Sequence, residues 1–236
     1  MSDTERHHPE IEAAGGLAEL LRRELSTYAG GTEGLEVSTP GSLHWAYVVV
    51  GDRSAQATSG GEIYVTSFWE SHVHLAHQKA RKFTSLAAAL SAWLIDRMPA
   101  SELARRMPYV ALEEGALAYE AGPAAYIAHR WAALRRQFAE GAAGSGAWEA
   151  TLLPVVEVAA ADPLVGRMHP YISITRLGVW RGLGPDDDLL PVIDPVRGAP
   201  GRFTLCTYPG TPLAEGTARE MVALLAEHVR AADKPR

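Results

Sequence analysis

The sequence predicts an α+β protein with one antiparallel sheet of about five to six strands, helices at both ends and a central helical block. Two observations carry that class. Apolar spacing switches between the three-to-four-residue step of helices and the two-residue alternation of strands, and it does so in blocks rather than in regular βα alternation. The 236 residues, 47% hydrophobic and 21% charged, have ordinary globular composition and length enough for a sizeable core. The chain reads as a frayed segment over 1–10 and a single domain over 11–232, with its helical block at 100–165. The sheet is expected to gather strands from both halves, since neither half alone shows enough of them.

The elements follow in order. Ile11, Leu17, Leu20, Leu21 and Leu25 predict one amphipathic helix ending before Gly30-Gly31. Leu43 to Val50 and Ile63 to Phe68 are β-branched and aromatic, with Gly51-Asp52 and Gly60-Gly61 at the breaks. With Val73 and Leu75 alternating against His72 and His74, they predict a meander of three or four strands. Leu86, Leu90, Trp93 and Leu94 restore the helical step until Pro99 stops it. Tyr126, Trp131, Leu134 and Phe138 lie in an alanine-rich stretch that predicts two or three further helices. After Pro170 comes a strand with Leu177 and Val179 that ends at Arg181, then a turn-rich acidic loop over 182–188. Strands at Val192-Ile193 and over 203–208, and a helix from Leu213 to Val229, complete the chain. With 100–165 treated as an insertion, this order also matches small secretion-chaperone-like folds.

Net charge is −6, which argues against a bulk grip on nucleic acid or anionic lipid. No run approaches the ~18 apolar residues of a membrane span, and the polar start resembles no leader. Cys206 is the only cysteine, so there is neither an internal disulfide nor a zinc-type cysteine set, and a cytoplasmic location is expected. In mid-strand it reads as a structural thiol. No Gly-rich phosphate loop, dinucleotide fingerprint or Gly-x-Ser-x-Gly elbow occurs, and no cofactor is predicted.

Three clusters bear chemistry. His72 and His74, two apart on a strand, would share a face and offer two imidazoles to a metal. His77 has the wrong parity to join them unless the strand breaks first. Because Val73 and Leu75 would turn inward and leave both histidines on the wetter face, no metal is predicted there. Arg176 and Arg181 flank the strand after Pro170 and suit a carboxylate or phosphate. His169, just before it, is the candidate acid or base.

Three stretches also resemble an actinobacterial family of natural-product-biosynthesis proteins of unknown function. They are Val73-His74-Leu75-Ala76 with Thr84-Ser85-Leu86-Ala87 and Ala92-Trp93-Leu94; Ser101-Glu102-Leu103-Ala104 with Pro108-Tyr109-Val110; and Met168 to Ser173 continuing to Leu177 and Arg181. Pro170, Tyr171, Ser173, Leu177 and Arg181 fit the third pattern, whereas Ile174 stands where the family has histidine and Trp180 where it has serine. The resemblance implies a biosynthetic setting and no particular reaction. It adds Tyr171 and Ser173 to Arg176 and Arg181 as binding candidates. With no complete catalytic constellation, the expected function is a non-catalytic accessory protein that binds a peptide or protein partner of a biosynthetic pathway. The alternative is a metal-independent tailoring hydrolase or cyclase, with His169 as acid or base and Arg181 stabilising negative charge.

Overall fold

The computed structural model describes residues 8–28, 34–39, 41–144, 146–183, 190–207 and 210–232. Most of the expected frayed start and of the acidic loop lies outside them. The protein is α+β, and its sheets are antiparallel throughout. It divides into two compact units, 1–120 and 121–236. Among the described residues the strands divide in the same way, into sheets of six and five, so the single sheet expected from both halves is corrected to two. Strands that the apolar pattern hides make the difference. Among the described residues no helix is long and apolar enough to cross a membrane.

The first unit opens with helices α1 (Pro9–Ala14) and α2 (Leu17–Leu25). The expected single helix is broken at Gly15-Gly16, whose φ values of 84° and 132° leave the helical region where glycine does so without a Cβ clash. Helix α1 includes Pro9 and Glu10, inside the segment expected to fray. A meander follows: β1 (Glu36–Ser38), β2 (Trp45–Val50), β3 (Arg53–Gly60), β4 (Ile63–Glu70) and β5 (Val73–Ala80). After helices α3 (Phe83–Leu94) and α4 (Ala100–Arg106), β6 (Val110–Leu112) adds to β5, and α5 (Ala116–Glu120) ends the unit.

One face of this sheet is built from small and apolar side chains. Cross-strand rows Val48, Ala55, Phe68, Ala76 and Ala46, Ala57, Thr66, Gln78 are fully buried. Helix α3 buries Leu86, Leu90 and Trp93 and packs on β3, β4 and β5. Arg53, only 7% exposed, ties helix to sheet. Its Nε donates to Glu70 across the strand pair at 2.8 Å, and its Nη1 donates to the carbonyls of Trp93 at 2.9 Å and Met98 at 2.8 Å. The guanidinium also lies 4.0 Å from the Trp93 ring centroid, and the Trp93 indole N–H donates to the Ser54 carbonyl at 3.2 Å. A cation thus meets carbonyls at the C-terminal end of α3, where the helix dipole favours it.

The second unit repeats this plan of helices, meander and helix. Helices α6 (Pro123–Ala143) and α7 (Ala147–Ala161) precede β7 (His169–Ser173), β8 (Arg176–Trp180), β9 (Val192–Pro195), β10 (Phe203–Cys206) and β11 (Pro212–Gly216), and α8 (Ala218–Ala232) closes it. Leu152, Val155 and Val156 of α7 and Met221, Leu225 and Val229 of α8 join Leu177, Val179, Ile193, Phe203 and Leu205 in one core. The closing helix was expected from Leu213. Instead Pro212–Gly216 is a strand, and a capping box sets the boundary: the Thr217 N–H donates to Glu220 Oε2 at 2.7 Å, and the Glu220 N–H donates to Thr217 Oγ1 at 3.4 Å.

Replacing Arg53 by alanine strands Glu70 and two carbonyls, and is expected to cost about 3–5 kcal/mol, read as a lower denaturant midpoint at unchanged m. The double variant Arg53→Met, Glu70→Leu should recover only the part owed to the stranded carboxylate, because the two carbonyls stay unpaired. Because each unit encloses its own helix-covered sheet, fragments 1–120 and 121–236 are each expected to unfold cooperatively by circular dichroism. A fragment without a transition would show that its core needs the rest of the chain.

Candidate functional site

The residues singled out near Pro170 fall on the β7–β8 hairpin of the second unit. Helix α6 is anchored beside it by the Trp131 indole N–H, which donates to the Met168 carbonyl at 3.0 Å. One turn of α6 then brings Tyr126 and Arg130, four residues apart and so on one face, to the start of β7. His169 pairs with Trp180 across the hairpin, and Tyr171 with Gly178, which puts all four on the sheet face opposite Leu177 and Val179. The His169 ring centroid is 5.5 Å from that of Tyr126 and 5.4 Å from that of Trp180, and Tyr171 stacks on Trp180 at 4.4 Å and 19°. The Tyr171 ring lies over Gly178, where a Cβ would sit 2.2 Å from its Cζ and displace the ring.

His169 is 6% exposed. Burial, assisted by the positive charge of Arg130 and opposed by a weak backbone contact to Leu183, pushes its pKa down to about 4. The imidazole is therefore neutral near pH 7, and neither ring nitrogen has a hydrogen bond of ordinary geometry. Arg130 is a cation that acts on it. Arg181 follows β8 and is half-buried.

The other candidates disperse. The register that pairs Leu177 with Ile193 sets Arg176 against Asp194, to which its Nε donates at 2.9 Å. Ser173 is exposed at the hairpin end, beside Ile174, which is 90% exposed with φ of 59°. Cys206 is buried, and burial followed by the charge of Asp194 pushes its thiol pKa up. That suits a packed thiol and not a nucleophile.

In the first unit the pairing of His72 with His74 is corrected. Ser71 and His72 form the two-residue turn between β4 and β5, with φ of 46° and 68°, the backbone of a type I′ hairpin. A bulge then shifts the register, so that Trp69 faces His74 and Phe68 faces Ala76. The bulge supplies the parity change that His77 lacked. His74 and His77 share the outer face, and their Nδ1 atoms lie 3.6 and 2.7 Å from Oε1 of Glu113. Burial holds the His74 pKa below its ordinary value, and its ring stacks on Trp69 at 4.5 Å. Among the described residues no group of three His, Cys, Asp or Glu side chains is placed to hold a metal ion.

The outer face of that sheet carries the rows Val49, Ser54, Trp69, His74 and Tyr47, Gln56, Ser67, His77. Over them opens a cleft of about 460 Å³ lined by Tyr47, Val49, Ser54, Gln56, Trp69 and His72. Compared with protein-family models, curated proteins and solved structures, the chain matches none.

The low pKa of His169 has a pH signature. Between its ordinary value of 6.5 and about 4, the unfolded chain takes up a proton that the folded chain refuses. Stability held above pH 6.5 is thus lost as pH falls through this window, by up to ~3 kcal/mol. Denaturant titrations from pH 7 to 4 are expected to show a shallower loss for His169→Gln than for the native chain. Parallel slopes would mean that His169 protonates normally.

Proposed function

We propose that the protein is a non-catalytic accessory protein that binds an extended peptide segment of a partner on the outer face of its first sheet. The observation that carries this reading is the exposed face itself: Tyr47 and Trp69 stand beside Ser54 and Gln56 around an open cleft. Tyrosine and tryptophan supply large contact area with a polar tip, and the neighbouring amide and hydroxyl groups suit a peptide backbone. A cleft of about 460 Å³ is of the size that takes a small ligand or a few residues of a chain.

Catalysis has less support. An imidazole with pKa about 4 lies ~3 units from the value that serves acid–base chemistry at neutral pH. The resemblance of three stretches to natural-product-biosynthesis proteins supplies the pathway setting, and a cytoplasmic location accords with the lone buried thiol.

Peptides encoded beside the gene, screened by fluorescence polarisation, are expected to include a binder whose affinity falls by about tenfold or more in Trp69→Ala or Tyr47→Ala. The far-UV spectrum should not change. Turnover of a small molecule by the pure protein, with no peptide bound, would defeat the proposal.

A further inference from the structure

Hydrogen-bonding capacity is left over where α6 meets the β7–β8 hairpin. Both ring nitrogens of His169 and the Nε of Arg130 are buried with no hydrogen bond of ordinary geometry, and His169 has only a backbone contact to Leu183. A buried donor left unmade costs about 1–3 kcal/mol, so such atoms gathered at one place mark a site whose acceptor is supplied from outside the chain. A cation stands beside them. Arg130 acts on both His169 and Tyr126. The walls are aromatic: Tyr126 and Trp180 flank the imidazole at 5.5 and 5.4 Å. Arg130, Tyr171 and Trp180 are each partly exposed, which opens the cluster to solvent on their side.

We propose that Arg130 and a ring N–H of His169 bind the carboxylate of an aromatic organic acid whose ring lies against Tyr126 and Trp180. One guanidinium N–H and one imidazole N–H match the two oxygens of a carboxylate, and the charge-assisted bond to Arg130 fixes its orientation. A phosphate dianion would need more donors than this pair supplies. Two sources present a carboxylate beside a ring: a free aromatic acid, and the C-terminus of a peptide that ends in an aromatic residue. The site lies within the second unit and does not depend on peptide docking to the first.

Calorimetric titration of the full-length protein with benzoate at pH 7 tests it. Saturable binding is expected, weakened about tenfold or more both when benzamide replaces benzoate and in the half-exposed variant Arg130→Gln. Arg130→Lys should recover part of the affinity, because the charge remains while the Nε–H is lost. A tripeptide ending in phenylalanine, set against its C-terminal amide, identifies the source, and preference for the free acid in either carrier upholds the site. Absence of saturable benzoate binding by the native chain would overturn it. So would equal binding of benzamide or inorganic phosphate, or full affinity in a folded Arg130→Gln.

Discussion

A five-stranded meander has two faces, and the helices before and after it cover one. That constraint shapes both units. In each, the face under the helices takes the apolar alternation, and the second face is left to residues chosen on other grounds. In the first unit these are Tyr47, Gln56, Trp69 and the histidines. In the second they are Tyr171, Trp180, Gly178 and the buried His169. The chemistry of the molecule is a property of its second faces, and the covered faces hold those side chains in place.

How the covered face is sealed differs. The second unit interleaves large aliphatic and aromatic groups from α7, α8 and three strands. The first sets alanines at 46, 55, 57 and 76 beneath its helices and closes the joint with a guanidinium. Small side chains let a helix approach closely, and a long cation reaches carbonyls that no apolar group satisfies. The arrangement is brittle, because a buried charge is tolerable only with every partner present.

Strong apolar spacing was legible: Leu17, Leu21 and Leu25 of α2, Leu86, Leu90 and Trp93 of α3, and Met221, Leu225 and Val229 of α8 lie inward as their spacing predicts, while Leu20 and Leu224 are only half-buried. Strand β3 was hidden because its inward residues Ala55 and Ala57 are too small to register against Ser54, Gln56 and Thr58. The start of α8 was available in the Thr217-x-x-Glu220 signature, which the run of apolar residues from Leu213 masked. His72 left its expected face because a type I′ turn claimed it, and no alternation rule anticipates a bulge. Around His169, the contribution of Tyr126 and Arg130 depends on which face of α6 meets β7. Spacing along the helix defines a face and does not say what it meets. Arg176 was drawn away by Asp194, a partner that only the strand register reveals.

The repetition of one architectural plan within one polypeptide fixes stoichiometry. Two separately expressed binding modules meet at the concentrations a cell happens to supply, whereas two units on one chain are always present one to one. A short tether commonly holds its modules at an effective concentration of about millimolar. A molecule that engaged both proposed sites would gain avidity only where its own length spans them, and then without any added contact.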